Sequence, residues 1–328
     1  MVMDSDVAKY SFHGIGIAVS GAEGVRTAIR SRLEPFSVDE LQDDHIRFEY
    51  RSVGVSDDHV VTPPSGKGRP VEEPGAVHTL YFESQDQLYI DYADRIRLLC
   101  DPRRSHVLLS VRDRGESNEW WTSHPAFTVP LAELLKRRGL FGLHTSALSI
   151  DGKAVLFAGD SGAGKSTLMV TLVRKGFGYL GDDMVFLRKG PHGMRVLGFP
   201  DEIDLTDETI ALFNELDHLM SLPKSEGWHK RQVRPEQLYP GKMVSECKPG
   251  LLIFPKISGK ASSVLKPMNS TEALLQLLSN IIRTDSASSQ NHLDALTALV
   301  KESKCYRLET GRDFDDLPEL FRGIAGSA

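Results

Sequence analysis

Gly159-Asp160-Ser161-Gly162-Ala163-Gly164-Lys165-Ser166 decides how this chain is read, because it matches G-x-x-x-x-G-K-[ST], the phosphate-binding P-loop. Its flanks agree. Ala154-Val155-Leu156-Phe157-Ala158 is a short apolar run of buried-strand type. From Thr167 to Val173 apolar residues recur at helical spacing, and Gly176 supplies a stop. Strand, glycine turn and helix start are what the chemistry requires. The glycines let consecutive backbone N–H groups converge on phosphate oxygens, and the helix N-terminus adds partial positive charge. Residues 159–167 are thus expected to bind a nucleoside triphosphate, with Lys165 reaching the β- and γ-phosphates and the Ser166 hydroxyl ligating Mg²⁺.

Working outward, Asp151-Gly152 joins two apolar runs, 144–150 and 153–157, and predicts a tight hairpin leading into the P-loop. Downstream, Gly178-Tyr179-Leu180-Gly181 leads to Asp182-Asp183 and a buried-type strand, Met184 to Leu187. Phosphoryl transfer to a hydroxyl needs one carboxylate to accept the proton and another to hold Mg²⁺. Two adjacent acids at a strand edge divide those roles, and the sequence leaves open which takes which. His144, just ahead of the hairpin, reads by itself as a core histidine.

Further strands are expected at 194–199, 251–255 and 305–308, and helices at 206–220, 271–282, 292–300 and 317–324. The segment Ser221–Gly241 carries Lys224, His229, Lys230, Arg231 and Arg234 with Trp228. Its default reading is a solvated loop; the alternative is a cationic lip over the triphosphate. Upstream, residues 10–114 alternate apolar and polar residues and predict an antiparallel meander, interrupted by a Pro/Gly-rich loop at Ser56–Gly75. The two halves define a β-rich N-terminal domain, 1–125, as the candidate for substrate recognition, and a P-loop domain, 126–328.

Composition bounds the function. With 328 residues, 40% hydrophobic content and net charge −6, the chain suits two globular domains and lacks the basic surplus of a nucleic-acid binder. Three scattered cysteines offer neither a zinc site nor a disulfide framework. No apolar run reaches a membrane span, and the acidic start lacks a signal-peptide layout, so a cytoplasmic location is expected.

The three motifs taken together, Gly142 to Ile150 with His144, the Gly159–Ser166 loop, and Gly181-Asp182-Asp183, resemble the catalytic core of the HPr kinase/phosphorylase family. His144 precedes Gly159 by 15 positions, the spacing expected in that family. The resemblance covers residues 140–187 well and 248–257 loosely. It implies an α/β fold with a mixed sheet, related to phosphoenolpyruvate carboxykinase, with ATP and Mg²⁺ as cofactors. It also implies Lys165 and Ser166 on phosphates and metal, Asp182 and Asp183 as base and metal ligand, His144 beside the reacting phosphate, and a homo-oligomer. Thr167 stands where those enzymes carry Glu, and their arginine- and glycine-rich second signature has no match here. Both departures point away from HPr and from phosphorylase activity. A divergent β-rich N-terminal half with the kinase core kept is more similar to the HPr-kinase-like proteins of lasso-peptide clusters, which phosphorylate the C-terminal serine of a precursor peptide. The alternatives are kinases of a small molecule, a free amino acid or HPr, and a nucleotide-binding regulatory module.

Overall fold

The computed structural model describes every residue except 1–6, 55–60, 72–75, 94, 113–118, 200, 225–228, 282–283, 285 and 327–328, with backbone alone at 119, 286 and 287. Much of the Ser56–Gly75 loop, and Trp228, therefore lie outside the described residues. The chain divides into two compact units, Met1–Gly139 with Ile282–Gln290, and Leu140–Ile281 with Asn291–Ala328. The helix Pro125–Lys136, placed by the sequence at the start of the second domain, belongs to the first unit. There the ring of Phe127 lies 4.7 Å from that of Phe48.

The first unit is built on an eight-stranded sheet in the spatial order Val7–Phe12, Ile15–Ser20, Ile46–Val53, His106–Arg112, Ile96–Asp101, Gln87–Tyr92, His78–Phe82, Arg69–Pro70. It is not a pure meander. Ile46–Val53 runs parallel to both of its neighbours; the helix Glu23–Leu33 is the crossover that makes it parallel to Ile15–Ser20. That helix contains Arg26, Arg30 and Arg32 and gives a weak amphipathic signal. Arg32 is nevertheless buried, donating to the Ser123 carbonyl and, at 3.0 Å, to Thr128 Oγ1.

The second unit carries the P-loop. Its sheet runs Gly178–Gly181, Ser146–Ile150, Lys153–Phe157, Glu246–Ile257, Gly193–Gly198, Val185–Gly190, Leu140–Leu143. The 12-residue strand Glu246–Ile257 also pairs with Lys304–Thr310. The sheet is mixed: Lys153–Phe157 is parallel to Glu246–Ile257 but antiparallel to Ser146–Ile150. The fold is α/β, as the sequence implies.

The continuous apolar run 154–158 follows from burial on both faces. Val155 and Phe157 pack with Leu168, Met169, Leu172 and Phe321 in one core cluster. Ala154, Leu156 and Ala158 enter another, with Leu252, Leu277, Leu296 and Leu299. The Asp151-Gly152 turn forms as expected, with φ of 50° and 74°; positive φ at both central positions gives the twist that two-residue hairpins need.

One helix differs from expectation. In place of a continuous 206–220 there is a short turn, Asp207–Ile210, and a 3-10 helix, Asn214–Ser221. Ile210, Phe213, Leu216 and Leu219 are all buried, and their spacing of three is the period of a 3-10 helix, not 3.6. The remaining helices appear as Ser270–Leu277, Ser286–Glu302 and Leu317–Gly326.

Candidate active site

All the sequence-predicted site residues lie in the second unit. At the end of Lys153–Phe157 the chain leaves the sheet after an Ala158 N–H bond to the Ile253 carbonyl, 2.9 Å. It then turns through Gly159–Gly164 into the helix Lys165–Arg174. Gly162 and Gly164 have φ of 82° and 90°, which β-carbon-bearing residues adopt only under strain. Gly164 occupies the N-cap and supplies no capping side chain. The first N–H groups of the helix therefore face the loop's concavity, where an anion satisfies them best. Lys165 is buried and bends back so that Nζ donates to the carbonyls of Gly159, 2.7 Å, and Asp160, 3.2 Å. Burial lowers its affinity for a proton, and Asp183 and Asp182 oppose that shift.

Ser166 and Asp182 meet directly. Ser166 Oγ donates to Asp182 Oδ2 at 3.1 Å, Ser146 Oγ donates to Oδ1, and the Asp204 N–H approaches Oδ2 at 3.4 Å. Asp182 is 1% exposed. Burial, then the charge of Asp183, raise its pKa to about 6, against the pull of Ser146, Lys230 and Ser166. A buried carboxylate touching the P-loop hydroxyl is a pair of hard oxygen donors, the kind Mg²⁺ takes, so the residues present fit the metal that the sequence implies.

Asp183 differs in conformation from its neighbour. Its φ is +66°, and the Met184 N–H closes onto the Asp182 carbonyl at 2.9 Å, an i to i+2 bond that makes a γ-turn of the strained, positive-φ kind. The Asp183 carbonyl accepts from Thr145 N–H at 3.2 Å. A turn this tight sends consecutive side chains in different directions, one into the buried hydroxyls and one toward the partly open side. Gly181 permits it: a β-carbon there would stand 2.5 Å from the Met184 carbonyl oxygen and 3.0 Å from that of Phe199.

His144 is not a core histidine. Its side chain is exposed to solvent, yet enough protein atoms crowd one side of the ring to desolvate it in part. That desolvation lowers its pKa, Asp183 and a hydrogen bond with the Asp183 carbonyl raise it, and Lys165 and Lys230 lower it further. The ring thus lies within electrostatic reach of Asp183 and the two lysines. The main-chain N–H of His144 is held by the Asn280 carbonyl at 3.1 Å.

Two further residues join this site: Asp204, which the sequence did not single out, and Lys230, from the cationic segment. Asp204 lies on the two-stranded ribbon Ile203–Leu205 / Arg231–Val233, and Lys230 directly precedes the second strand. Asp204 is 5% exposed. Its Oδ2 lies 3.8 Å from Lys230 Nζ, and its Oδ1 has no hydrogen-bond partner among the described residues. Burial first, then Asp183, raise its pKa to about 7, with Lys230 opposing. The cationic segment is thus not wholly a solvated loop. Lys230 enters the site, while Lys224 and Arg231 hold Asp207. Thr167 packs structurally, its Oγ1 2.9 Å from Thr209 Oγ1. Asp160 and Ser161 are exposed on the loop's rim, with Ala163 half-buried beneath. Cys100, Cys247 and Cys305 are buried free thiols, and no described helix is long and apolar enough to cross a membrane.

No family model matches the sequence, and no curated protein matches it. Among solved structures, the chain is similar to the HPr(Ser) kinase/phosphatase from Coxiella burnetii, at 15% identity and a TM-score of 0.28, over 57% of this chain and 94% of that one.

Proposed function

We propose that the chain is an Mg·ATP-dependent kinase that transfers the γ-phosphoryl group to an aliphatic hydroxyl. The observation that carries this reading is the junction of the P-loop with the paired acids: Ser166 Oγ on Asp182 Oδ2 at 3.1 Å, with Asp183 turned apart at φ +66°. A protein that only held nucleotide would need the first contact and not the second.

In this reading Ser166 and Asp182 would hold the metal, which when bound supplies positive charge against the β- and γ-phosphate oxygens. The glycine loop, the helix N-terminus and Lys165 bind and orient the triphosphate. Asp183 takes the proton from the acceptor hydroxyl as its oxygen bonds to the γ-phosphorus. The bond from that phosphorus to the β,γ-bridging oxygen breaks, ADP leaves, and Asp183 passes its proton to solvent. His144, largely neutral near pH 7 because its pKa is lowered, keeps a hydrogen-bonding ring beside Asp183 without adding a competing charge.

For the acceptor we infer a serine in a peptide, specifically the C-terminal serine of a lasso precursor. The support is the resemblance carried by 142–150, 159–166 and 181–183, together with the departures from the HPr enzymes at Thr167 and the missing second signature. The sheet of the first unit would supply the recognition surface, and strand addition is the mode that suits it.

The test is to incubate purified protein with Mg·ATP and a precursor peptide ending in serine, and to read the peptide's mass. Gain of one phosphoryl group, lost when the terminal serine is replaced by alanine, is the expected result. Nucleotide binding with no transfer to peptide, serine or HPr would replace the kinase reading by a regulatory one. Absence of nucleotide binding would overturn both.

A further inference from the structure

Resting on that kinase reading, we propose that Lys230 is the second cation for the terminal phosphoryl group, and that Asp204 is the residue that positions it. Phosphoryl transfer spreads charge over the equatorial oxygens of the transferring group, and a cation from outside the P-loop is the recurrent means of meeting it. Lys165 supplies one such charge from the loop. Lys230 comes from elsewhere in the chain, directly ahead of the second strand of the short ribbon Ile203–Leu205 / Arg231–Val233.

Three observations converge. The Lys230 side chain is 17% exposed and that of Asp204 6%, so this is not a solvated surface pair of small energetic consequence. Lys230 acts electrostatically on Lys165, His144 and Asp182, the groups that surround the proposed site of the γ-phosphate. The Nζ to Oδ2 distance is 3.8 Å, longer than a charge-assisted hydrogen bond of about 2.7–2.9 Å, so Asp204 holds the ammonium near the site as an ion pair.

Asp204 is itself anchored. Gln232 hydrogen-bonds its carboxylate, and its main-chain N–H approaches Asp182 Oδ2 at 3.4 Å. The buried Oδ1 without a hydrogen-bond partner among the described residues is the kind of unmet acceptor that persists where a site needs the charge. The ligand this arrangement selects is a nucleoside triphosphate over a diphosphate, since a cation aimed at the terminal phosphoryl group contributes nothing to binding ADP.

The test compares affinities of the full chain for Mg·ADP and for a non-hydrolysable Mg·ATP analogue by titration calorimetry, using K230M, K230R and D204N. One lost charge-assisted contact predicts a drop of about tenfold or more in triphosphate affinity for K230M. The same variant should change diphosphate affinity by less than about twofold. K230R should retain most of the discrimination, and D204N should lose part of it. Equal loss for both nucleotides, or no loss for either, overturns the proposal while leaving the kinase reading intact. If wild type binds neither nucleotide, it is the kinase reading that fails. Should K230M lose its cooperative unfolding transition, D204N and K230R decide the matter by the same ratio.

Discussion

Replacing Asp204 by asparagine is expected to stabilise the free protein, and to do so only above acid pH. The carboxyl is buried with one oxygen unmet, and its pKa stands at about 7 against an ordinary 3.8. A carboxyl whose folded value is raised favours the folded state below the unfolded value, and that contribution is lost as pH climbs through the folded value. The window here runs from 3.8 to about 7. The full span corresponds to about 4 kcal/mol at 1.36 kcal/mol per unit. Asp182 and Asp183 share the same charge balance and relax when Asp204 is neutralised, so about 1–2 kcal/mol is the expected net gain at pH 8. For a unit of this size that is a rise of roughly 3–6 °C in melting temperature. Calorimetric scans of wild type and D204N without nucleotide, at pH 4.5 and pH 8, measure it: a small difference at the lower pH and the full one at the higher. A difference independent of pH, or destabilisation at pH 8, would refute the reasoning. The same variant should lose triphosphate selectivity, so stability and function pull opposite ways at this residue.

Asp182→Asn and Asp183→Asn should fail differently. The first is expected to weaken Mn²⁺ binding, read by electron paramagnetic resonance, whereas the second should bind Mn²⁺ and ATP near normally and reduce transfer by a factor of 10² or more. Gly181→Ala should cost about 2 kcal/mol or more and lower activity beyond that loss, because the Met184 carbonyl oxygen 2.5 Å from the new β-carbon must move and take the Asp182–Asp183 turn with it; urea unfolding and turnover check the two parts. The His144 ring should titrate below its ordinary 6.5 in a proton NMR series, and Asp183→Asn should move it lower still by removing the opposing charge.

Local chemistry determined a great deal of this protein. Residues 154–167 specify a strand, a glycine turn and a helix start by themselves, since backbone φ preferences and apolar periodicity act within a few residues. Asp151-Gly152 fixes the hairpin for the same reason, and Gly181-Asp182-Asp183 was legible as an acidic pair at a strand edge. What separates those two acids was not: only the turn around Asp183 and the contact between Ser166 and Asp182 distinguish them. The parallel pairing of Ile46–Val53 was also hidden, because alternation of apolar residues reports which face is buried and not which strand lies alongside. Asp204 carried no local signal, and Lys230 stood in a basic segment whose default reading was a solvated loop and whose alternative was a lip over the triphosphate. Pairing of 203–205 with 231–233 buries the one and directs the other inward, and burial is what turns a common charge into a perturbed, site-forming one. Desolvation depends on every atom nearby, from wherever in the chain it comes, and so belongs to the tertiary structure alone.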